Sequence, residues 1–237
     1  MLSLFAKMPR APGALRSGCG GYHLPAGRGP EFGNKGEDPM RKAVFVILDH
    51  YADWEPAFLA MALKGEVGEA FEVSYASTDR QPKTSIGGLT ALPDLSLSEV
   101  PQDADALIFI GADGSWRQPQ EEAAALAHRF HREGKVVAAI CDAARWLGSV
   151  GLLNDVAHTL NDPGEMEAHP VYANPAGYRE AESVLDGRVV TANGNAPVAF
   201  AADVLRALRA APEEDIRQFL DFYTMGFHAA LRKFGFK

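Results

Sequence analysis

The feature that most limits what this chain can fold into is a series of short, nearly unbroken apolar runs set about one helix length apart. Ala43-Val44-Phe45-Val46-Ile47-Leu48, Ala106-Leu107-Ile108-Phe109-Ile110 and Val136-Val137-Ala138-Ala139-Ile140 carry small or apolar side chains at consecutive positions. A strand with one wet face alternates, whereas a run without alternation suits a strand covered on both faces. Residues 71–76 alternate enough for a further strand, and Val189-Val190-Thr191 gives another.

Helical periods fill the gaps. Asp53 is expected to cap a helix reaching about Lys64, with Phe58, Leu59, Ala62 and Leu63 on one face. Residues 119–132 read as an Ala/Glu-rich helix with Leu126 and Phe130 on one side, closed by Gly134. A third helix follows Cys141 to about Val150, and a fourth spans residues 197–208. Ile86-Gly87-Gly88-Leu89 marks a turn into a short extended piece, and residues 213–234 are expected to form one amphipathic helix. That helix would pack on its own domain or, as the alternative, form a dimer contact. Strands joined by helix-length crossovers give an α/β fold: a mostly parallel central sheet flanked by helices on both faces.

Composition removes whole classes of function. A chain of 237 residues, 47% of them hydrophobic, can bury a core without disulfides or metals. No apolar run approaches the roughly 20 residues that span a bilayer, so no membrane role is expected. Residues 1–39 hold five basic and three acidic side chains, a balance of +2 that leaves −10 on the rest of a chain whose total is −8. A body this acidic repels phosphate backbones, and no nucleic-acid partner is expected. Residues 1–39 are rich in Gly and Pro and show no period, so a disordered, dispensable tail is expected there, and a domain over 40–237. Met40 opens the organised part, as it would if translation were assigned to start too far upstream. Cys19 and Cys141 read as two free thiols, which with the missing secretory h-region points to the cytoplasm.

In parallel sheets chemistry gathers at the carboxyl ends of the central strands. That rule selects residues 49–55, 111–114, 141–142 and 191–197. Cys141 ends an apolar run and is followed at once by the small Ala143 and Ala144, the pattern of a nucleophile on a tight strand-to-helix turn. The helix start would favour its thiolate. A buried structural cysteine is the alternative, and spacing does not choose between them. Glu55, at the start of the first helix, would overlook the same edge as an acid or base, unless it only complements the helix dipole. The main-chain N–H groups of Gly111-Ala112-Asp113-Gly114 could face a developing oxyanion. This loop lacks the residues of a phosphate or dinucleotide site, so no cofactor is expected. His128 and His131, beside Arg129 and Arg132, read as a solvated face. His158 and His169 lack zinc spacing, and no metal site is expected. His158 could approach the elbow or be structural, and His50 stands in the right region without a distinguishing context.

Six segments taken together resemble a family. They are Ile47-Leu48-Asp49-His50-Tyr51-Ala52-Asp53-Trp54-Glu55, Thr84-Ser85-Ile86-Gly87-Gly88, Ile110-Gly111-Ala112, Ala139-Ile140-Cys141-Asp142-Ala143, Gly151-Leu152-Leu153-Asn154 and residues 190–197. In this order, across about residues 41–210, they resemble the ThiJ/PfpI superfamily, whose fold is a flavodoxin-like, class I glutamine amidotransferase-like sandwich. The resemblance implies that Cys141 is the reactive elbow cysteine, that Glu55 contacts it, and that Ala112 and Asp142 supply main-chain oxyanion donors. It also implies a homodimer. A bacterial subgroup of intracellular proteases or amidases carries a similar His-Thr pair where His158-Thr159 stand.

Three departures shape the functional expectation. Asp142 occupies the position at which protease-like members place a histidine, Ala112 replaces a common glycine, and residues 191–195 hold no histidine of a glutaminase His-x-Glu pair. Ammonia transfer from glutamine is therefore not expected, and His158 is the one substitute for the missing protease base. The sequence points to a cysteine-dependent hydrolase, or a glyoxalase-type lyase, acting on a small amide, peptide-like or reactive carbonyl substrate. The alternative is a stress-responsive protein whose Cys141 is oxidised with little turnover. Glu55 and Cys141 are expected within about 3 to 4 Å, at the ends of neighbouring strands.

Overall fold

A computed structural model describes residues 40–118, 120–166 and 169–234. The expected tail over 1–39, with Cys19, lies outside the described residues, as does Pro119 at the start of the second expected helix. In chain order the strands are β1 (Lys42–Val46), β2 (Glu72–Ser77), β3 (Lys83–Thr84), β4 (Thr90–Ala91), β5 (Leu95–Ser96), β6 (Ala106–Phe109), β7 (Val136–Ile140), β8 (Ser183–Asp186) and β9 (Val189–Ala192). The helices are α1 (Ala57–Met61), α2 (Glu121–Arg132), α3 (Asp142–Ser149), α4 (Pro197–Leu208), α5 (Glu213–Thr224) and α6 (Phe227–Phe234).

Seven strands form the main sheet in the order β5-β2-β1-β6-β7-β9-β8, and β3 and β4 form a separate hairpin. All pairings in the main sheet are parallel except β8 with β9. Consecutive residues of β6, β7 and β9 are buried, as are Ala43 to Val46 of β1, so both faces of the sheet centre are covered. From β1 the chain crosses to β2 on one side, and from β6 it crosses to β7 on the other. Right-handed crossovers therefore put α1 on one face and α2 and α3 on the opposite one. The helix α4 packs against α1 and α5, completing the first layer. On the other layer Phe109, Trp116 and Trp146 pack edge-to-face or tilted, with centroids 4.5 to 5.6 Å apart. Burying each such ring stabilises by about 1.5 to 3 kcal/mol. Trp116 also donates its indole N–H to Ile110 O at 2.7 Å, which fixes the chain just before Gly111.

Four local expectations need correction. Asp53 does not cap α1: Pro56 stands at the N-cap, and the Asp53 carboxylate accepts from the Ser85 hydroxyl instead. The helix then widens into a five-residue turn at Ala62–Glu66, where Gly65 takes φ 95° and Val67 N–H bonds Ala62 O. The expected helix over 213–234 is two helices, because Gly226 adopts φ 86° between α5 and α6 and leaves Phe227 half exposed. Strand β8 carries no apolar run because it is a partly exposed edge, joined to β9 through Gly187 at φ 59°. His128 is half-buried rather than solvated, with its ring on Val150 O at 3.0 Å. No helix of the described residues is long and apolar enough to cross a membrane.

Candidate active site

Four loops converge at the carboxyl edge of the sheet, after β1, β6, β7 and β9. Cys141 is the single residue between β7 and α3, at φ 62° and ψ −131°. A side-chain-bearing residue in such a conformation costs about 1 to 3 kcal/mol and persists only where its surroundings hold it. Here its N–H donates to Ala192 O of β9 at 2.9 Å, and its carbonyl accepts the Ala144 N–H at 3.0 Å. The fully buried Ala143 and Ala144 let α3 start directly against the sheet.

Glu55 is fully buried. Its Oε2 accepts the Gly111 N–H at 2.7 Å, while Oε1 has no hydrogen-bond partner. The strands that lead to Glu55 and Cys141 are not neighbours, contrary to expectation: β6 lies between β1 and β7. The carboxyl must therefore pass the end of β6, and Gly111 makes room. A Cβ at Gly111 would sit 2.8 Å from Glu55 Oε2 and 2.7 Å from Cys141 Cβ. Gly194, after β9, closes the other side, where a Cβ would lie 2.7 Å from Cys141 Sγ and 3.4 Å from Glu55 Oε1.

Burial pushes the Glu55 carboxyl up to about 7, against the Gly111 N–H and the thiol, which both favour its ionised form. Burial likewise pushes the Cys141 thiol up to about 11. The Glu55 charge adds to that rise, while Asn161 and the Asp142 N–H oppose it. The expected depression of the thiol by the helix start is thus outweighed by desolvation. Each group's titration feels the other, yet Oε1 completes no hydrogen bond of ordinary geometry, so the two interact through proximity.

Asp142 turns its carboxylate away, accepting Arg145 Nε at 2.7 Å, and its N–H is what favours a charged sulfur. In the loop after β6, the Gly111 N–H is taken by Glu55 and the Asp113 N–H by His50 O at 3.0 Å. The bridge between Tyr51 and Ala112 uses the Ala52 and Asp113 N–H groups, leaving that of Ala112 uncommitted to it. Ala112 and Asp142 line a cleft of about 340 Å³ with Cys141, Trp54, Ile86 and Arg117. Trp54 donates its indole N–H to Gly194 O at 3.0 Å.

His158 is not brought to Cys141. It is fully buried, with Nδ1 against Val156 O at 2.9 Å and Nε2 against Tyr172 Oη at 2.8 Å, and burial lowers its pKa. The exposed His50 takes φ 59° and donates its main-chain N–H to Thr84 O at 2.7 Å, outside the cleft lining. The residue that sequence reasoning missed is Asn161. Its Nδ2 lies 3.3 Å from Cys141 Sγ, and its Oδ1 accepts the Gly194 N–H at 3.0 Å. Its one sequence signal is position, two residues after the His158-Thr159 pair, in a segment without period.

Comparison with known proteins adds four findings. Residues 41–207 match the model of the DJ-1/PfpI family. The chain is 33% identical over 196 residues to the uncharacterized protease YdeA of Bacillus subtilis, covering 83% of this chain and 98% of that protein. It is 32% identical over 114 residues to the deglycase PH1704 of Pyrococcus horikoshii, covering 47% of this chain and 67% of that protein. Among solved structures, the DJ-1 superfamily protein Atu0886 of Agrobacterium tumefaciens superposes with a TM-score of 0.72 at 38% identity, covering 78% of this chain and 99% of that one.

Proposed function

Because this chain belongs to the DJ-1/PfpI family, we propose that it is a cysteine-dependent enzyme acting on a small amide, peptide-like or reactive carbonyl substrate, with Cys141 as nucleophile. The observation that carries this reading is the approach of a buried carboxyl, with its pKa near 7, to a cysteine on a strand-to-helix elbow at an open cleft. A carboxyl half-ionised at neutral pH can both accept and return a proton. In the first step the sulfur bonds to the substrate carbonyl carbon and the C=O π pair moves onto oxygen. The Ala112 and Asp142 N–H groups receive that charge. The thiol proton passes to Glu55 and from there to the new alkoxide, or to the leaving nitrogen of an amide. Water then cleaves the thioester that an amide leaves behind.

No histidine among the described residues lines the cleft, so the proton transfer falls to Glu55. Addition to a reactive carbonyl expels no leaving group and asks least of such a site. This favours a small-molecule enzyme over a true protease, in line with the relative named a deglycase, whereas YdeA is named a protease. The proposal extends to a cytoplasmic homodimer that binds neither nucleic acid nor membrane.

A second reading is oxidation of Cys141 by peroxide to a sulfinic acid, two peroxides each giving one oxygen to sulfur and leaving as water. The donors beside the sulfur, Asn161 Nδ2 and the Asp142 N–H, favour it because they suit oxygens bound there. A panel of amide, ester and α-oxoaldehyde substrates, run with the protein and its Cys141→Ser variant, separates the two. Turnover lost in the variant supports the enzyme. No turnover on any substrate, with selective sulfinic acid at Cys141 under mild peroxide, overturns it.

A further inference from the structure

We infer that Asn161 is a catalytic residue of this site, which donates a hydrogen bond to Cys141 Sγ, aims the sulfur, and stabilises its ionised form. The inference rests on the reading of Cys141 as the reactive atom. The contact has both ends defined: Nδ2 to Sγ at 3.3 Å and Gly194 N–H to Oδ1 at 3.0 Å. A main-chain N–H can only donate, so Gly194 identifies the amide oxygen and leaves the nitrogen facing the sulfur. Gly194 is itself held, through its carbonyl, by the Trp54 indole.

The chain before Asn161 is tied down as well. His158 N–H donates to Gly177 O at 3.0 Å, Thr159 N–H to Thr191 Oγ1 of β9 at 2.8 Å, and Thr159 Oγ1 to Ala181 O at 2.8 Å. The fully buried His158-Thr159 pair thus sets the approach of Asn161 from β9, the strand that also receives the Cys141 N–H. A hydrogen bond to an ionised sulfur is charge-assisted and stronger than one to a thiol. Asn161 thereby offsets part of the penalty that burial and the Glu55 charge impose on the thiolate. An amide does not titrate, so the donor is present at every pH. The charged groups that face this sulfur or line its cleft are Glu55, Asp113, Asp142 and Arg117, and none changes when Asn161 is replaced.

The test is the pH dependence of Cys141 alkylation by iodoacetamide, read on its own peptide by mass spectrometry so that Cys19 does not contribute. Asn161→Ala is expected to raise the midpoint by about one pH unit, a roughly tenfold slower reaction at a fixed pH below it. Asn161→Asp keeps the shape and the bond from Gly194 but loses the donor and adds a charge, so its midpoint should rise further. Circular dichroism checks that each variant is folded. An unchanged midpoint in a folded variant overturns the inference. In the unmodified protein the Asn161 side-chain carbonyl carbon resonance should move with the Cys141 midpoint, and a resonance that stays fixed through it overturns the inference without any variant. A Cys141 that resists alkylation at every pH removes the nucleophile reading itself, whereas a titrating Cys141 indifferent to Asn161 removes only this inference.

Discussion

Gly111 holds Glu55 in place across the end of an intervening strand: its N–H donates to Oε2 at 2.7 Å and leaves Oε1 beside Cys141 without a partner. The carboxyl is buried at a cost that depends on its charge. The folded protein keeps the Glu55 proton up to about pH 7, while the unfolded chain releases it near the ordinary 4.5. Between these values the folded state binds more protons, so this group's contribution to stability falls as pH rises, and the loss is complete above about 7. Glu55→Gln keeps an oxygen for Gly111 and has no charge to bury. Urea unfolding at pH 5 and pH 8 should show the variant gaining about 3 kcal/mol on the parent over that interval. Parallel behaviour of the two proteins would show that the carboxyl is not raised.

Gly194→Ala is expected to expel the thiol from its position, because the new Cβ would stand 2.7 Å from Sγ. Overpacking of this kind costs about 1 to 3 kcal/mol. Lowered thermal stability should accompany loss of Cys141 alkylation. Gly111→Ala should behave alike, its Cβ meeting both Cys141 Cβ and Glu55 Oε2. Normal alkylation in both variants would mean that the glycines do not define the site.

Cys141 is held at the cleft by a backbone at φ 62°. Glycine reaches that conformation without a Cβ penalty. Cys141→Gly should therefore be about 1 kcal/mol more stable than Cys141→Ala, though both lack the nucleophile. Denaturant midpoints measure this directly, and an advantage for alanine would argue that the elbow is unstrained.

His158 works through structure and with the opposite pH sense to Glu55. Burial lowers its pKa, so the unfolded chain takes up a proton first as pH falls through the ordinary 6.5, and stability is lost on acidification below it. His158→Gln, which loses a hydrogen bond to Tyr172 Oη or Val156 O while Asn174 still bonds both, should cost about 0.5 to 1.5 kcal/mol at pH 7.5. The gap between variant and parent should narrow at pH 5. A gap that widens there would mean that His158 is charged in the fold.

How much of this was legible depends on how local the deciding forces are. The runs ending at Leu48, Ile110 and Ile140 announced buried parallel strands, since apolar runs of this length set about one helix length apart suit strands covered on both faces. Helix α4 matches its expected span, and the small residues after Cys141 marked the elbow. The edge strand β8 was missed because half-exposed strands carry weak patterns, and the break at Gly226 was missed because an apolar stripe does not report a left-handed residue within it. His158 was a candidate base by residue type, by its place in the chain after Cys141 and by the His-Thr pair, none of which reports where the ring points, and its ring is spent on Val156 and Tyr172.

The sequence by itself determined the α/β architecture, the carboxyl-edge segments that bear chemistry, and the elbow that carries Cys141. These follow from backbone periodicity and turn sterics, which act over a few residues. Tertiary structure decided that β6 lies between the strands leading to Glu55 and Cys141, that Gly111 and Gly194 must lack side chains for the two to approach, and that Asn161 reaches the sulfur from a segment with no pattern. It also decided that desolvation raises both the carboxyl and the thiol. Distances between segments and the loss of water around a charge are set by every neighbour at once, and no local spacing encodes them.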